Sequence, residues 1–397
     1  MNALREAAAT AALRIADELA DPVEVARALP AHRRHTLGEG LAGTALLHAR
    51  LAGAVPGAAA RARAHWRLAA EALGQAPPDG VYRGPGGLAA SLLAGAGQVS
   101  RVDVPGEAVR DAVRWLSART EVIAGLPWPG LAPGPGTCPW TVYDVMSGLS
   151  GTGRVLLAAH GAGLAADAAP GLAAAQSTLT RMILGGTPDR PGWWQPAGQL
   201  PGPALAHPEG AAVTGMAHGI AGPLALLALA ETTGPPLPGR RAAVRAAADW
   251  LVAVQEDASW PPRAGAGAGA GRRDAWCYGV PGIARALALA STALGDPGYA
   301  RAADRALTAL AERPGTTWDT DGPGLCHGST GVLVCALRAG HRSLAESAAR
   351  LTLRLAAARS DLGFLGGAAG TALALAQYAG LLPQSSPVPW DCLLLAG

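Results

Sequence analysis

Lysine is missing from this chain: all 32 basic residues are arginine, set against 29 acids for a net charge of +3. So small an imbalance gives no argument for nucleic-acid binding. Aromatic residues are scarce at 4%, with a single phenylalanine, although half of all residues are apolar. Alanine, leucine and glycine therefore carry the apolar pattern, which suits helices packed closely through small side chains, alanine being the strongest helix former. Cysteine is sparse, at Cys138, Cys277, Cys326, Cys335 and Cys392. An odd number without a regular framework argues against a secreted disulfide scaffold. Uncharged stretches such as 220–230 fall short of the roughly 20 residues that span a bilayer. Arg5, Arg14, Asp17 and Glu18 interrupt the start of the chain and leave no apolar core for a signal peptide. The expectation is a bacterial cytoplasmic protein. At 397 residues it can bury a sizeable core, and a single domain over 1–397 is expected.

What the chain does have is a repeat. Gly-x-x-Gly ahead of an apolar run occurs at Gly40/Gly43, Gly84/Gly87, Gly148/Gly151, Gly219/Gly222, Gly279/Gly282, Gly328/Gly331 and Gly367/Gly370. The steps between successive first glycines are 44, 64, 71, 60, 49 and 39 residues. Each step opens a helix that is apolar nearly all round, as buried helices are. Between them, 4–20, 58–74, 107–124, 240–256, 299–312 and 343–359 mix charge with apolar residues at helical spacing, and 165–184 supplies a less clear seventh. Seven outer and seven inner helices in alternation predict an all-α fold, most simply a closed double ring, the α/α toroid. An open helical solenoid is the alternative that repeat counting leaves standing. Three linkers interrupt the pattern: 127–140, 185–209, and the alternating Ala-Gly run 264–271 beside a predicted site mouth.

Two of the glycine steps carry metal-binding side chains. Trp276-Cys277-Tyr278-Gly279 opens the fifth and Leu325-Cys326-His327-Gly328 the sixth. Equivalent loops of successive repeats point to the same end of a ring, so Cys277, Cys326 and His327 are expected to meet. Two thiols and an imidazole make a zinc site with one position unfilled, the catalytic kind. Cys138 and Cys335 have no such placement and read as ordinary buried thiols. His218 precedes the fourth step in the same phase as His327, which puts it at the same rim. As a residue beside an apolar helix it also has a plain reading, a satisfied core imidazole.

WCYGxPG, CHGxxG and the upstream Ala217-His218-Gly219-Ile220-Ala221-Gly222 resemble, in order and spacing, the signature of the lanthionine synthetase C-like family, the lanthipeptide cyclases. The likeness runs from about Gly38 to the end of the chain. It implies a seven-fold α/α toroid with Zn2+ held by Cys277, Cys326 and His327. It also implies active-site roles for His218, for Asp144 in Tyr-Asp-x-x-x-Gly-Leu-Ser-Gly, for Arg273 four residues before Cys277, and for Tyr278. Asp144 as a helix cap and Arg273 as a surface charge are the plainer alternatives. The implied reaction adds a cysteine thiol of a dehydrated precursor peptide to a dehydroalanine or dehydrobutyrine of the same peptide, forming a (methyl)lanthionine ring. The partners implied are that peptide, a separate dehydratase and an export transporter, with no nucleic acid and no membrane span. Segment 185–209 sits where similar cyclases carry a substrate-facing insertion. Addition of glutathione or another small thiol, and a non-catalytic zinc-stabilised scaffold, remain open beside this reading.

Overall fold

Charge sorts the helices into two layers. In the computed structural model, which describes residues 2–397 other than 75, 78, 100–105, 129–137, 188, 201–208, 266–272, 359–360 and 384–385, the outer layer is α1 (Asn2–Glu18), α4 (Ala58–Glu71), α6 (Gly106–Ala124), α9 (Ala165–Leu184), α11 (Arg240–Ala253), α13 (Pro297–Ala311) and α15 (Arg342–Leu355). The inner layer is α3 (Leu41–Arg50), α5 (Gly84–Ala96), α8 (Leu149–Gly161), α10 (Ala221–Thr233), α12 (Val280–Leu294), α14 (Ser329–Ala339) and α16 (Ala368–Ala379). Short helices α2 (Pro22–Ala28) and α7 (Trp140–Tyr143) fill connections. An outer helix buries one stripe: α11 turns Ala243, Val244, Ala247, Ala248 and Leu251 inward and leaves Arg241 and Arg245 in solvent. Side chains such as Val244 and Leu251 each contribute roughly 1.5–3 kcal/mol by that burial. Inner helices are buried nearly all round, and all ten residues of α3 are buried. Gly295, Gly340 and Gly380 adopt left-handed conformations that end α12, α14 and α16.

The weakly patterned segment 165–184 is a full outer helix although Pro170 lies inside it. Gly171 explains its packing. Its amide donates to Ser117 Oγ at 2.9 Å, and a Cβ there would lie 2.6 Å from the Ser117 carbonyl oxygen, so α9 sits hard against α6.

Closure is visible at both layers. α16 packs on α3, and α1 packs on α15 and α16, so the last repeat meets the first and an open solenoid is excluded. The glycine steps show how the ring is drawn shut. Backbone hydrogen bonds pass from repeat to repeat: Gly38 N to Tyr82 O, 3.0 Å; Val81 N to Met146 O, 3.2 Å; Val145 N to Ala217 O, 2.9 Å; Ala217 N to Cys277 O, 3.1 Å. The circuit continues from Cys277 N to Cys326 O at 3.2 Å, Cys326 N to Leu365 O at 2.9 Å, and Leu365 N back to Gly38 O at 2.9 Å. The second glycine of each step allows this approach. A Cβ on Gly331 would lie 2.9 Å from Trp276 Cβ, and one on Gly43 would lie 2.9 Å from the Phe364 amide nitrogen. All seven steps therefore lie on one rim of an α/α toroid.

One feature departs from an all-helical expectation. Strands β1 (Trp194–Gln195), β2 (Ala211–Val213) and β3 (Arg263–Ala264) form a small antiparallel sheet in the order β1-β2-β3. Prolines at 191, 196, 261 and 262 bar helix there and favour extended backbone. The linker 127–140 is described only at its ends, most of the Ala-Gly run 264–271 lies outside the described residues, and 185–209 is described up to Leu200 and at Glu209, Thr187 to Arg190 in part. Among the described residues, no helix is long and apolar enough to cross a membrane.

Candidate functional site

Because the rim is a closed circuit, the residues just before each first glycine form a ring of their own: Glu39, Arg83, Ser147, His218, Tyr278, His327 and Gly366. The candidate residues fall on four consecutive repeats of it. Cys277, from repeat five, and Cys326 with His327, from repeat six, converge so that their ligand atoms all lie within 4.8 Å of one another. Cys277 Sγ is 2.9 Å from His327 Nδ1. Both cysteines are buried, whereas His327 reaches the surface of the rim. The expected meeting of these three side chains is therefore present.

Their electrostatics differ from those of the other thiols. Hydrogen bonds from Cys326 first, then from His327, push the Cys277 thiol down to about 5 against the opposing effect of burial. Cys326 is shifted up by the same contact, since the pair shares one proton, and contact with Cys277 also raises the His327 imidazole. Burial alone pushes Cys138 up to about 12, and it leads the rise of Cys335 to about 12 and of Cys392 to about 11. Those three stay neutral thiols. Zn2+ needs deprotonated soft donors and typically takes three protein ligands where a fourth position serves chemistry. Two sulfurs and one ring nitrogen, one sulfur already ionising readily, fit that ion.

His218, from repeat four, places Nδ1 2.8 Å from Asp144 Oδ2. Asp144 is fully buried, and its two oxygens do different things: Oδ1 accepts from the amides of Ser147 at 2.9 Å and Gly148 at 2.7 Å, at the start of α8, while Oδ2 meets the imidazole. The cap and the imidazole partner are thus one residue. Burial raises the Asp144 carboxyl above its usual range, and the His218 hydrogen bond leads the effects that pull it back. A carboxylate at Nδ1 fixes the neutral ring as the Nδ1–H tautomer and leaves Nε2 as an acceptor. The ring packs edge-on to Trp140 at 4.7 Å between centroids and lies 6.1 Å from that of Tyr278. Tyr278 also packs on Leu200 and on Ala211 and Val213 of β2, and burial holds its hydroxyl protonated.

Arg273 is not free at the rim. Its Nη1 lies 3.1 Å from Asp319 and its Nη2 2.8 Å from Asp321, and Asp321 N donates to the His327 carbonyl at 2.8 Å. Behind it, Arg313 grips the buried Asp274 with two hydrogen bonds, at 3.1 and 2.8 Å. The rim encloses a cavity of about 420 Å3 whose wall includes Tyr82, Arg83, Trp140, His218, Cys326 and His327. Cys277 sits behind Cys326, and neither Arg273 nor Tyr278 is part of that wall.

Two supports were missed from sequence. A Cβ on Gly215 would lie 2.5 Å from the Cys277 carbonyl oxygen and 2.7 Å from the Tyr278 ring, so only glycine lets repeat four approach Cys277 this closely. Glycine recurs at the same offset as Gly80, Gly324 and Gly363, a second phase that could have been counted. The C-terminal tail also props the rim: Trp276 Nε1 donates to Leu394 O at 2.8 Å and Tyr82 Oη to Leu393 O. Asp391 anchors that tail to Arg338.

No curated protein sequence matches the chain. A solved structure of nisin cyclase matches with a TM-score of 0.77 over 96% of each chain at 20% identity, a likeness of fold. A family model for lanthionine synthetase C-like protein matches residues 32–351, which is most of the chain, and on that match the chain belongs to the lanthionine synthetase C-like family.

Proposed function

We propose that the chain acts as a single zinc-dependent cyclase domain over 1–397, closing thioether rings in a dehydrated precursor peptide. The observation that carries this reading is the opening of Cys326, His327 and His218 onto one cavity, with Cys277 and Asp144 directly behind them. Cys277, Cys326 and His327 would hold the ion. Zn2+, when bound there, supplies the positive charge that keeps an incoming peptide thiol ionised at neutral pH. Asp144 orients His218 through Nδ1, so that Nε2 can accept the proton that the peptide thiol loses and deliver it to the substrate Cα. Tyr278 and Trp140 confine that imidazole between them. Arg273, tied to Asp319 and Asp321, steadies the loop bearing His327 and adds positive charge near the Cys277 sulfur. A peptide containing both cysteine and dehydroamino acids fits a site that presents a thiol-binding position and a proton donor to the same space. The dehydroamino acids would come from a separate dehydratase in the bacterial cytoplasm, and an export transporter would take the product.

The test is incubation of the zinc-loaded protein with such a peptide, followed by thiol alkylation and mass spectrometry. Ring closure leaves the mass unchanged and removes alkylatable thiols. Peptide thiols that stay free while glutathione is taken up would favour small-thiol addition. No reaction with either, together with stability that depends on zinc, would favour the scaffold.

A further inference from the structure

We propose that Arg83 is the cation that meets the carbonyl oxygen of the dehydroamino acid during ring closure, an assignment that rests on the cyclase reading above. Arg83 occupies in repeat two the rim position that His218, Tyr278 and His327 occupy in repeats four, five and six. The hydrogen-bonded circuit fixes the order of the repeats around the axis. The Cys277–Cys326 junction lies between repeats five and six, and in a ring of seven the repeat diametrically opposite is the second. Arg83 shares the cavity wall with His218, Cys326 and His327. A peptide segment filling that cavity therefore has the thiol-binding side chains on one flank and Arg83 on the other.

The state of the two arginines separates their roles. Arg273 spends its guanidinium on two carboxylates at 3.1 and 2.8 Å. Among the described residues Arg83 has one long pair, Nη2 to Glu39 Oε2 at 3.8 Å, and Glu39 is closer to Arg33 at 3.2 Å. Its side chain is 64% exposed, so giving up that pair costs little. The planar donors of Arg83 remain available to an oxygen in the cavity.

The chemistry supplies such an oxygen. As the thiolate sulfur bonds to Cβ, the Cα=Cβ electron pair moves toward the carbonyl and places negative charge on its oxygen. Protonation at Cα returns the pair to carbon. The thiol has lost one proton and Cα has gained one, so the net change is addition of S–H across the double bond. Charge appears on the carbonyl oxygen only during this passage, and a donor placed there acts on the rate more than on binding.

The experiment compares Arg83→Gln and Arg83→Lys with the parent, measuring zinc content, thermal midpoint, and kcat and KM for ring closure on a dehydrated peptide. Zinc and midpoint are expected to be unchanged. The Gln variant should lose about 10²-fold in kcat, as removal of one oxyanion donor typically does, with KM within a few-fold and partial recovery in the Lys variant. A Gln variant with parental kcat, or one altered in KM alone, overturns the assignment while leaving the cyclase reading intact. A parent that closes no ring overturns the cyclase reading, and the role of Arg83 with it.

Discussion

Asp144 invites a substitution that separates its two jobs. In Asp144→Asn the side-chain oxygen can still accept from the Ser147 and Gly148 amides, which lie 2.9 and 2.7 Å from Oδ1 in the parent, so the start of α8 stays capped. The amide NH2 then faces His218 Nδ1, 2.8 Å away in the parent. Two donors cannot share that contact, so the imidazole must move its proton to Nε2 and present a donor where an acceptor stood. Asp144→Ala removes both interactions.

Stability and rate should then diverge. Burial raises the Asp144 carboxyl, which means that keeping it charged opposes folding, and the neutral amide relieves that cost. The Asn variant is expected to match the parent in urea midpoint or exceed it slightly. The Ala variant should lose about 1 kcal/mol for the cap, with more for the Ser147 and Gly148 amides left unpaired away from solvent. Ring closure should fall in both, by roughly 10²–10⁴-fold if His218 acts as an acid–base group in the tautomer that Asp144 dictates. Zinc content should hold in both, because Asp144 touches none of the three donors. Equilibrium unfolding in urea, metal analysis and single-turnover mass spectrometry give the three readouts. An Asn variant that closes rings at the parental rate would refute the reasoning and reduce Asp144 to a cap.

Two further expectations follow from the titrations and the donor set. Cys277→Ala removes one of three ligands and a compensating negative charge, so zinc per chain after dialysis should fall well below one. Ring closure should fall with it, since a free thiol of pKa ~8.5 is only a few per cent ionised at neutral pH, and the residual rate should rise with pH. Cys335→Ala, inside α14, should change neither. The buried pair His48 and His65, whose rings lie 5.0 Å apart, should make the fold acid-sensitive. Burial leads in lowering both, to about 4 for His48 and about 3 for His65, whereas the unfolded imidazoles titrate at 6.5. The unfolded chain therefore binds more protons below 6.5, and stability present above that pH is lost as pH falls toward the folded values. The loss is about 2 kcal/mol per imidazole at pH 5, read from urea midpoints at pH 7.5 and 5. A flat profile, or no flattening in His65→Gln, would count against it.

How far the sequence could be read depends on whether a feature repeats. The seven glycine steps and the phase of Cys277, Cys326, His327 and His218 recur at fixed offsets, and each offset maps to one place on a ring, so both the toroid and the donor cluster were legible before any coordinates. What did not repeat stayed hidden. Trp276 finds the Leu394 carbonyl 118 residues later, and nothing local in either stretch announces the pairing. Strands of two or three residues, such as Trp194–Gln195, are too short to show alternation. The resemblance gave Arg273 as an active-site residue, whereas its partners Asp319 and Asp321 belong to the next repeat, and only the fold brings them close enough to occupy its guanidinium. Arg83 is the converse case. The offset that selects His218 and His327 also selects Arg83, but the sequence cannot say which repeat faces which. That follows only once the first and last repeats are seen to join, because closure turns a list of equivalent positions into opposite walls of one cavity.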